Sequence, residues 1–556
     1  MAVAVDTIAD AERGSRAERP GRHGRSAGFL RRHRVPLIAT ATMLPLYVVW
    51  AFFRANGGGD LAAQDTWARF AAEHGDSAYG LFWFGGLHTA NYSLLSPYLM
   101  GFFGVRTIGV ASGLAAGWLA AVLFVRSGIR RPLAPALMAA FGLWVDVAAG
   151  RVTFALGVAF ALAACVLLVG ERRPVLSAGY ATLATMGSPV AGLFLVVAGA
   201  AYGLVRDWKR AVVLTVPPFL VVGATTLLFP FDGEQPMAAG RIWWPALLGV
   251  AVAVCAPRDW RVVRLGGAVY AAGVVLTYFT PSPIGSNVER LALLFAPAVL
   301  LAGLLCTERA ARYRRGGLAL ALAGSLFWLG SGTPYSFLKG SDAVPAWAAD
   351  TRGIVRELGR LDAERARVEV VPASDHREAA VLSPHVNMAR GWNTQLDMER
   401  GRLFYDGTFS APTYRAWLDR WAVGYVAVSD AEPDRYGRAE ARLVRGGPGW
   451  LEPVWRDAHW RLYRVRNAVP LVPAPAEVVS ASEAFVVVHV PKPGSVAVRI
   501  AYSPWLRADN GGCLRRQGEF TRLVVKEAGF YQISSEYDSG YDSTYATPAA
   551  SGQTVC

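Results

Sequence analysis

The chain has 556 residues, of which 53% are hydrophobic and 18% charged, and its formal net charge is +14. Charge-free apolar segments fill residues 35–338 and none follows, which predicts a polytopic membrane protein with a soluble C-terminal region. The arginine clusters stand beside these segments, which indicates membrane topology and argues against nucleic-acid binding. The five cysteines form no CxxC or Cys/His cluster, so a zinc site is not indicated.

Residues 1–34 are rich in arginine and lack an apolar core, which predicts a disordered, basic cytoplasmic tail and not a cleaved signal peptide. A membrane helix needs about 20 apolar residues, and two of the following segments are too long for one helix. We expect both to break and the second to cross the membrane twice, which gives about 11 spans. The candidate segments are 35–53, 92–125, 133–149, 152–170, 174–205, 211–231, 242–256, 265–280, 291–306 and 316–337.

The short basic loops set the predicted orientation. If 174–205 crosses twice, all of them fall on the same side as the N-terminal tail, and the positive-inside rule places that side in the cytoplasm. An odd number of spans then leaves residues 339–556 outside, so we predict a multi-pass plasma-membrane protein with a cytoplasmic N-terminus and an extracytoplasmic C-terminal region. The loops in question lie at 126–131, 172–173, 206–210, 258–264 and 309–315.

Loop one, residues 54–91, is the longest external loop between spans. Its segment 61–73 has the spacing of an amphipathic helix that lies on the bilayer surface. Asp60 or Asp65 could act there as a general base toward a hydroxyl group. Asp60 also directly precedes the helix and would be a good N-cap, and five-residue spacing puts the two carboxylates on different helix faces.

Polar residues at the mouth of the next span are candidates for ligand binding. His88, Asn91 and Tyr92 stand in the segment FWFGGLHTANYSLLSPYLMG and could bind a sugar or a phosphate. Interfacial aromatic residues are often only membrane anchors, so a hydrogen-bonded loop is the structural alternative.

Further candidates lie at the predicted outer ends of later helices. Asp146 and Arg151 are ionisable groups close to the hydrocarbon, which suggests function, although they could also form a structural ion pair. Ser188 before Pro189 predicts an N-cap, and the free N–H groups of that helix end would attract an anion unless Ser188 only caps it.

The segment PSPIGSNVERLALLF, residues 281–295, adds a second arginine at this face. Ser286 and Glu289 fit a capping box, which accounts for both structurally. Asn287 and Arg290 remain as ligand-binding candidates, since arginine suits bidentate phosphate recognition. Two arginines, a helix N-terminus and a carboxylate on one outer face would suit a lipid phosphate.

The C-terminal region divides into two predicted domains. An amphipathic helix at 343–361 and strands at 368–373, 425–430 and 458–465, with a helix at 411–421, predict an α/β domain over 339–470. Short alternating runs after 475 predict a β-sandwich over 471–556, of an immunoglobulin-like or carbohydrate-binding kind. Cys513 and Cys556 share this external region, where a disulfide would persist.

This organisation resembles the GT-C class of membrane glycosyltransferases, which use polyprenyl-phosphate sugar donors. The shared features are an acidic first external loop (GDLAAQD), an interfacial helix, about a dozen spans and an external C-terminal domain. The motifs GD.AAQ, YSLLSP, GR.TFALG, SPVAG, SN.ERL and GWNTQLDMERGRLFYDGT are similar to those of actinobacterial membrane proteins related to arabinofuranosyl- and mannosyl-transferring enzymes. The similarity to those enzymes covers roughly 35–330 and implies that the loop-one acid is the general base, with Asp60 first and Asp65 second. Many relatives have two adjacent acids there, whereas here they are spaced.

The leading hypothesis is a hexosyl- or pentosyltransferase that moves a sugar from a polyprenyl phosphate to a cell-envelope glycan or lipid on the outer face. Asp60 would deprotonate the acceptor, and Arg151 and Arg290 would stabilise the leaving phosphate. No cofactor or divalent metal is indicated. A secondary transporter is one alternative, although paired broken helices are not evident. A non-catalytic envelope scaffold that binds lipid or glycan is the other, and only activity would separate it.

Overall fold

The structure is a computed structural model that describes residues 33–171, 173–231, 233–308, 310–339 and 343–537. The tail predicted to be disordered therefore lies outside the described residues, apart from its last two positions. Cys513 is disulfide-bonded, and Cys556, the partner expected from the sequence, also lies outside the described residues.

A bundle of apolar helices fills the region before residue 339. Seven helices among the described residues are long and apolar enough to cross a membrane, and three shorter apolar helices accompany them. The chain is thus a multi-pass membrane protein, while the count of about 11 spans stays a prediction. The helices are α1 Arg34–Val49, α2 Asp60–Glu73, α3 Ser96–Phe103, α4 Val105–Arg126, α5 Leu133–Ala148, α6 Val152–Val166, α7 Pro174–Gly187, α8 Pro189–Leu204, α9 Trp208–Leu228, α10 Trp243–Cys255, α11 Arg261–Phe279, α12 Glu289–Cys306, α13 Arg312–Ser331 and α14 Thr333–Lys339.

Both long apolar segments break, as predicted. Gly104 separates α3 from α4 with a φ of +86°, a conformation that favours glycine. Ser188 has extended backbone angles between α7 and α8. The breaks therefore occur at residues that cannot easily continue a helix, or that precede a proline.

Small residues allow the helices of the bundle to approach closely. A Cβ at Gly157 of α6 would lie 2.8 Å from the Ser188 Cβ and 2.9 Å from the Ala184 carbonyl oxygen. A Cβ at Gly142 of α5 would lie 2.7 Å from the Leu294 carbonyl oxygen of α12. These glycines thus set helix spacing at positions where any side chain would collide with backbone.

Arginines of the short basic loops donate to helix-end carbonyls at one end of the bundle. Arg126 binds the Val166 oxygen at 2.9 Å, and Arg264 binds the Ala253 oxygen at 2.8 Å. Arg315 binds the Thr307 oxygen at 2.9 Å. Since α4 and α6 both finish there, their opposite ends face loop one. The side of the membrane on which each end lies stays a prediction.

Loop one does not place its helix on the bilayer surface, and that prediction is wrong. Helix α2 is buried on most of its faces, and Trp67 is 1% exposed. Trp67 packs against Phe82 and Trp83 of the same loop and, through them, against buried residues of the C-terminal region. A Cβ at Gly391 would lie 2.2 Å from the Trp83 ring, so this glycine makes room for it. The apolar face of α2 meets protein where lipid was expected.

The C-terminal region first forms an α/β domain around a mixed sheet of order β3-β4-β6-β5. Its first pair is parallel and the others are antiparallel. The helix predicted at 343–361 is two shorter helices, and β5 was not predicted. The elements are α15 Ala346–Ala349, α16 Arg352–Arg360, β3 Arg367–Val370, α17 Arg377–Leu382, α18 Thr394–Arg400, α19 Ala411–Arg420, β4 Val423–Ser429, α20 Arg438–Arg445, β5 Leu451–Arg456 and β6 Trp460–Val465; loop one holds the hairpin β1 Tyr79–Gly80 and β2 Leu87–His88.

Two antiparallel sheets follow, of order β10-β13-β8-β7 and β11-β12-β9. Alternate residues of both sheets enter one hydrophobic cluster, which includes Val488, Val498, Leu523 and Ile533. Their classification as a β-sandwich and a carbohydrate-binding role stay predictions. The strands are β7 Glu477–Ala481, β8 Val486–Val490, β9 Gly494–Ala501, β10 Arg507–Ala508, β11 Cys513–Gln517, β12 Phe520–Val525 and β13 Gly529–Ser534.

Candidate functional site

A cavity of about 450 Å³ lies where the bundle, loop one and the α/β domain meet. Seven of the predicted catalytic and ligand-binding residues line it, although they come from segments far apart in the chain. They are Asp60, Asn91, Tyr92, Arg151, Ser188, Asn287 and Arg290. The structure thus brings together residues that the sequence placed only on a common outer face.

The ionic centre of this cavity is built around Arg151. Gly150, with a φ of +81°, forms a tight turn between α5 and α6. The guanidinium of Arg151 then lies between two carboxylates, with Nε 3.5 Å from Asp60 Oδ2 and Nη1 3.6 Å from Asp146 Oδ1. Asp146 is 4% exposed, whereas the Asp60 side chain is 36% exposed. Of the two, Asp60 is therefore the carboxylate that a ligand in the cavity could reach.

Asp60 does not cap its helix. It is the first residue of α2, and Gly59 occupies the N-cap position with a φ of +64° and no side-chain cap. The Asp60 carboxylate is thus left to pair with Arg151, and the capping role considered from the sequence is not observed.

Arg290 and a third arginine extend the positive charge. Arg290 lies over the Phe154 ring at 5.0 Å and is partly buried at the first turn of α12. Arg241, which the sequence did not single out, lines the same cavity and holds the buried Glu289, with Nε 2.7 Å from Oε1. The capping box predicted for Ser286 and Glu289 is therefore not formed, because Glu289 turns to Arg241.

A chain of hydrogen bonds between uncharged side chains also lines the cavity. Thr153 Oγ1 donates to Gln64 Oε1 at 2.7 Å, and the Gln64 amide donates to the Tyr92 hydroxyl. Ser188 begins α8 without a side-chain cap and is 4% exposed. Gln64 was missed because a glutamine inside an amphipathic helix gives no sign of the direction in which it points.

Two predicted site residues lie elsewhere. Asp65 pairs with Arg106 of α4. Because Arg106 also donates to the Ala55 carbonyl at 2.9 Å, this arginine joins loop one to α4. Burial raises the pKa of the Asp65 carboxyl, and Arg106 opposes that shift. His88 lies in a neighbouring smaller cavity, where its Nε2 bonds Ser503 Oγ at 2.8 Å. Burial lowers the pKa of His88 to about 3, so the imidazole is neutral at neutral pH.

The cavity also has an apolar side. Val221, Val222, Thr225 and Thr226 of α9 line it. On the same helix Phe219 is 63% and Leu220 67% exposed, as expected for a lipid-facing surface. The cavity is therefore lined by a helix that also carries an exposed apolar surface.

The segment 392–395 forms the α/β domain's part of the cavity wall. Gln395 Nε2 donates to the Pro283 carbonyl at 3.3 Å, which links this segment to the loop before α12. The Trp392 ring stacks on His376 with centroids 3.5 Å apart. The one sequence signal for these residues was the family-like motif that contains them.

A group of ionisable residues with metal-ligating atoms lies outside the cavity. Glu73, His74 and Glu483 bring their ligand atoms within 4.8 Å of one another. Both Glu483 oxygens, however, accept hydrogen bonds from Arg69 at 2.7 Å, so an arginine already neutralises this carboxylate.

Residues 473–513 match a family described as a domain of unknown function, DUF8823. No curated protein matches the chain. Two solved structures with a similar backbone are both arabinofuranosyltransferase AftD from Mycobacteria. For the first the identity is 14% and the TM-score 0.43, with 85% of this chain and 42% of that chain covered. For the second, a mutant, the identity is 13% and the TM-score 0.44, with 92% and 60% covered. Similarity this weak, to proteins of which the chain spans only a part, carries no functional argument.

Proposed function

We propose that the protein is a membrane glycosyltransferase that takes a sugar from a polyprenyl-phosphate donor and transfers it to a hydroxyl of an envelope glycan or lipid. The observation that carries this proposal is the cavity itself. It holds a reachable carboxylate, Asp60, beside Arg151 and Arg290, and it borders the lipid-facing helix α9. A polyprenyl-phosphate sugar needs both an anion site and an apolar wall at the edge of a membrane.

The charges of the cavity fit a phosphate. Three arginines and two carboxylates line it, which leaves a formal excess of one positive charge. A phosphodiester carries one negative charge, and the phosphate monoester released by transfer carries more. Because this extra charge already develops in the transition state, Arg151, Arg241 and Arg290 would stabilise the transition state more than the bound donor, which is the condition for catalysis.

The proposed reaction is a direct displacement at the anomeric carbon. The acceptor oxygen forms a new bond to that carbon, while the bond from the carbon to the phosphate oxygen breaks and the polyprenyl phosphate leaves with the electron pair. Asp60 accepts the acceptor's proton. A single displacement of this kind inverts the anomeric configuration.

The test uses the full chain in lipid nanodiscs, with decaprenyl-phosphoryl arabinose and decaprenyl-phosphoryl mannose as donors and octyl glycosides as acceptors. Asp60→Asn is expected to lower the transfer rate by about 10²–10⁴-fold, because the proton acceptor is lost. Donor affinity should change little. Arg290→Ala should instead weaken donor binding by about 10–100-fold, because a charged contact to phosphate is removed.

Matched controls separate these effects from loss of structure. Asp65→Asn removes a loop-one carboxylate outside the cavity, and Arg261→Ala removes an exposed arginine of α11. Transfer per folded molecule should be unchanged in both. Full transfer by the Asp60→Asn protein would exclude Asp60 as the base. A wild-type protein that binds the donor without transferring sugar would favour the non-catalytic scaffold.

A further inference from the structure

A second cavity, of about 180 Å³, adjoins the first. Residues of loop one, the α/β domain and the last two sheets all contribute to it. Asn91, Tyr92, Phe231 and Asn393 line both cavities, so the two share a wall. A ligand long enough to pass that wall would enter the cavity that contains Asp60.

The charge of this second cavity differs from that of the first. Its described lining contains Glu399, Arg400, Arg516 and Glu519, which balance to zero, and His88 is neutral because it is buried. These charged groups also make contacts within the protein. Arg400 donates to the Phe84 and Gly86 carbonyls at 2.6 Å, and Glu519 accepts from Arg420 at 2.6 Å. The cavity therefore offers no net charge to attract an anion.

Aromatic side chains surround the cavity, and of the four named next only Tyr502 is partly exposed, since the other three are buried. Trp67, Tyr79, Trp421 and Tyr502 line the cavity together with the polar side chains. Trp67 Nε1 is buried and makes no hydrogen bond to another described group, which is costly unless a ligand or water accepts from it. The partly exposed Tyr502 ring, beside the amides of Asn91 and Asn393 and the Glu399 carboxylate, suits a sugar, which presents C–H faces and a rim of hydroxyls.

We propose that this second cavity binds a neutral oligosaccharide as the acceptor. The inference rests on the proposed function, and it places acceptor recognition at the junction of three parts of the chain and not on the face of the C-terminal sheets. The end of the acceptor would pass Asn91 and Tyr92 and present its hydroxyl to Asp60. The cavity for sugar transfer and the cavity for acceptor binding would thus be separated only by the residues that line both.

The test measures two affinities on the full chain in nanodiscs. One probe is an octyl-linked tetrasaccharide of arabinofuranose or mannopyranose, and the other is farnesyl phosphate. Tyr502→Leu removes a ring and a hydroxyl at the second cavity, and Glu399→Gln removes an exposed carboxylate there. Each is expected to weaken tetrasaccharide binding by about 5–20-fold, with farnesyl phosphate affinity unchanged. A sulfated form of the tetrasaccharide should bind the wild type less well than the neutral form.

Glu527→Gln, an exposed glutamate outside both cavities, is the matched control and should alter neither affinity. Tetrasaccharide affinity that is equal in wild type and both cavity variants would overturn the inference, as would no tetrasaccharide binding by the wild type. Failure of the wild type to bind farnesyl phosphate would instead count against the proposed function. The two readouts therefore distinguish the two failures.

Discussion

Glu369 illustrates how far a single buried residue can depart from its ordinary state. It is fully buried on β3, and burial together with neighbouring Glu440 raises the pKa of its carboxyl well above the usual range. Arg390, whose Nη1 is 3.8 Å from Glu369, already binds Asp397 at 2.7 Å and Glu440 at 3.0 Å. One arginine cannot neutralise three buried carboxylates, so Glu369 holds its proton in the folded protein.

This protonation makes stability fall as pH rises. In the unfolded chain Glu369 ionises near pH 4.5, whereas in the folded protein it ionises at a higher pH. The stability that the protonated Glu369 contributes is fully present below pH 4.5, and it is lost as the pH rises from that value through the pKa of the folded state. Glu369→Gln should therefore increase the opening free energy of β3 and β4 at pH 7 by about 1–3 kcal/mol, and much less near pH 4.5.

Amide hydrogen exchange, read by mass spectrometry at both pH values, would measure this change. Glu432→Gln is the control, since Glu432 forms an exposed pair with Arg438 that contributes little. Slower exchange in the control as well would mean that a general charge effect is responsible. Faster exchange in Glu369→Gln at pH 7 would show that the ionised carboxylate is needed.

Residue type and position predicted part of the lining of the first cavity and missed the rest. Arg151 and Arg290 stand out because arginine is expensive near hydrocarbon, and both line the cavity. Arg241 was missed because it precedes a short apolar helix, where an interfacial arginine is ordinary. By residue type, Asp65 and His88 were as good candidates as the residues that line the first cavity. Their contacts with Arg106 and Ser503 place them outside it.

Among the elements, helix limits followed closely from the apolar runs, because hydrocarbon selects strongly for length and composition. The packing partners of the helices could not be predicted from these runs. The pattern of α2 is the same whether its apolar face meets lipid or the ring of Trp83, and only the fold decides between them. Strand β5 was missed because Pro453 interrupts the run that would have identified it.

The junction of α6 with the break at Ser188 gives a prediction at this scale. Gly157→Ala would place a methyl group 2.8 Å from the Ser188 Cβ and 2.9 Å from the Ala191 Cβ. We expect it to destabilise the bundle by about 1–3 kcal/mol, because neither helix can move freely. Thermal unfolding in detergent would measure the loss.

Gly179→Ala on α7 is the matched control, because nothing lies within 4 Å of its added Cβ. It should be neutral or stabilising by about 0.5–1 kcal/mol, since alanine favours helix. An equal fall in both variants would indicate that helix flexibility, and not close packing, sets the effect.

For the whole molecule, orientation is the principal prediction. Arg126, Arg264 and Arg315 lie at the end of the bundle away from Asp60, and cationic loops favour the cytoplasm. Alkaline phosphatase fused after Cys556 should therefore be active, because it folds only when exported. Green fluorescent protein at the same site should stay dark. The opposite pair of results would place the cavity inside the cell.

The aromatic residues of loop one have a further consequence for how the chain is made. Trp67, Phe82 and Trp83 share one hydrophobic core with Val368 and Trp460, although most of the membrane helices separate them in sequence. A secreted fragment that begins after residue 343 would thus lack part of its own interior and expose the corresponding hollow to water. During synthesis, loop one is made long before the C-terminal residues that enclose its aromatic side chains. One of the first loops to be made would therefore be among the last to reach its final packing.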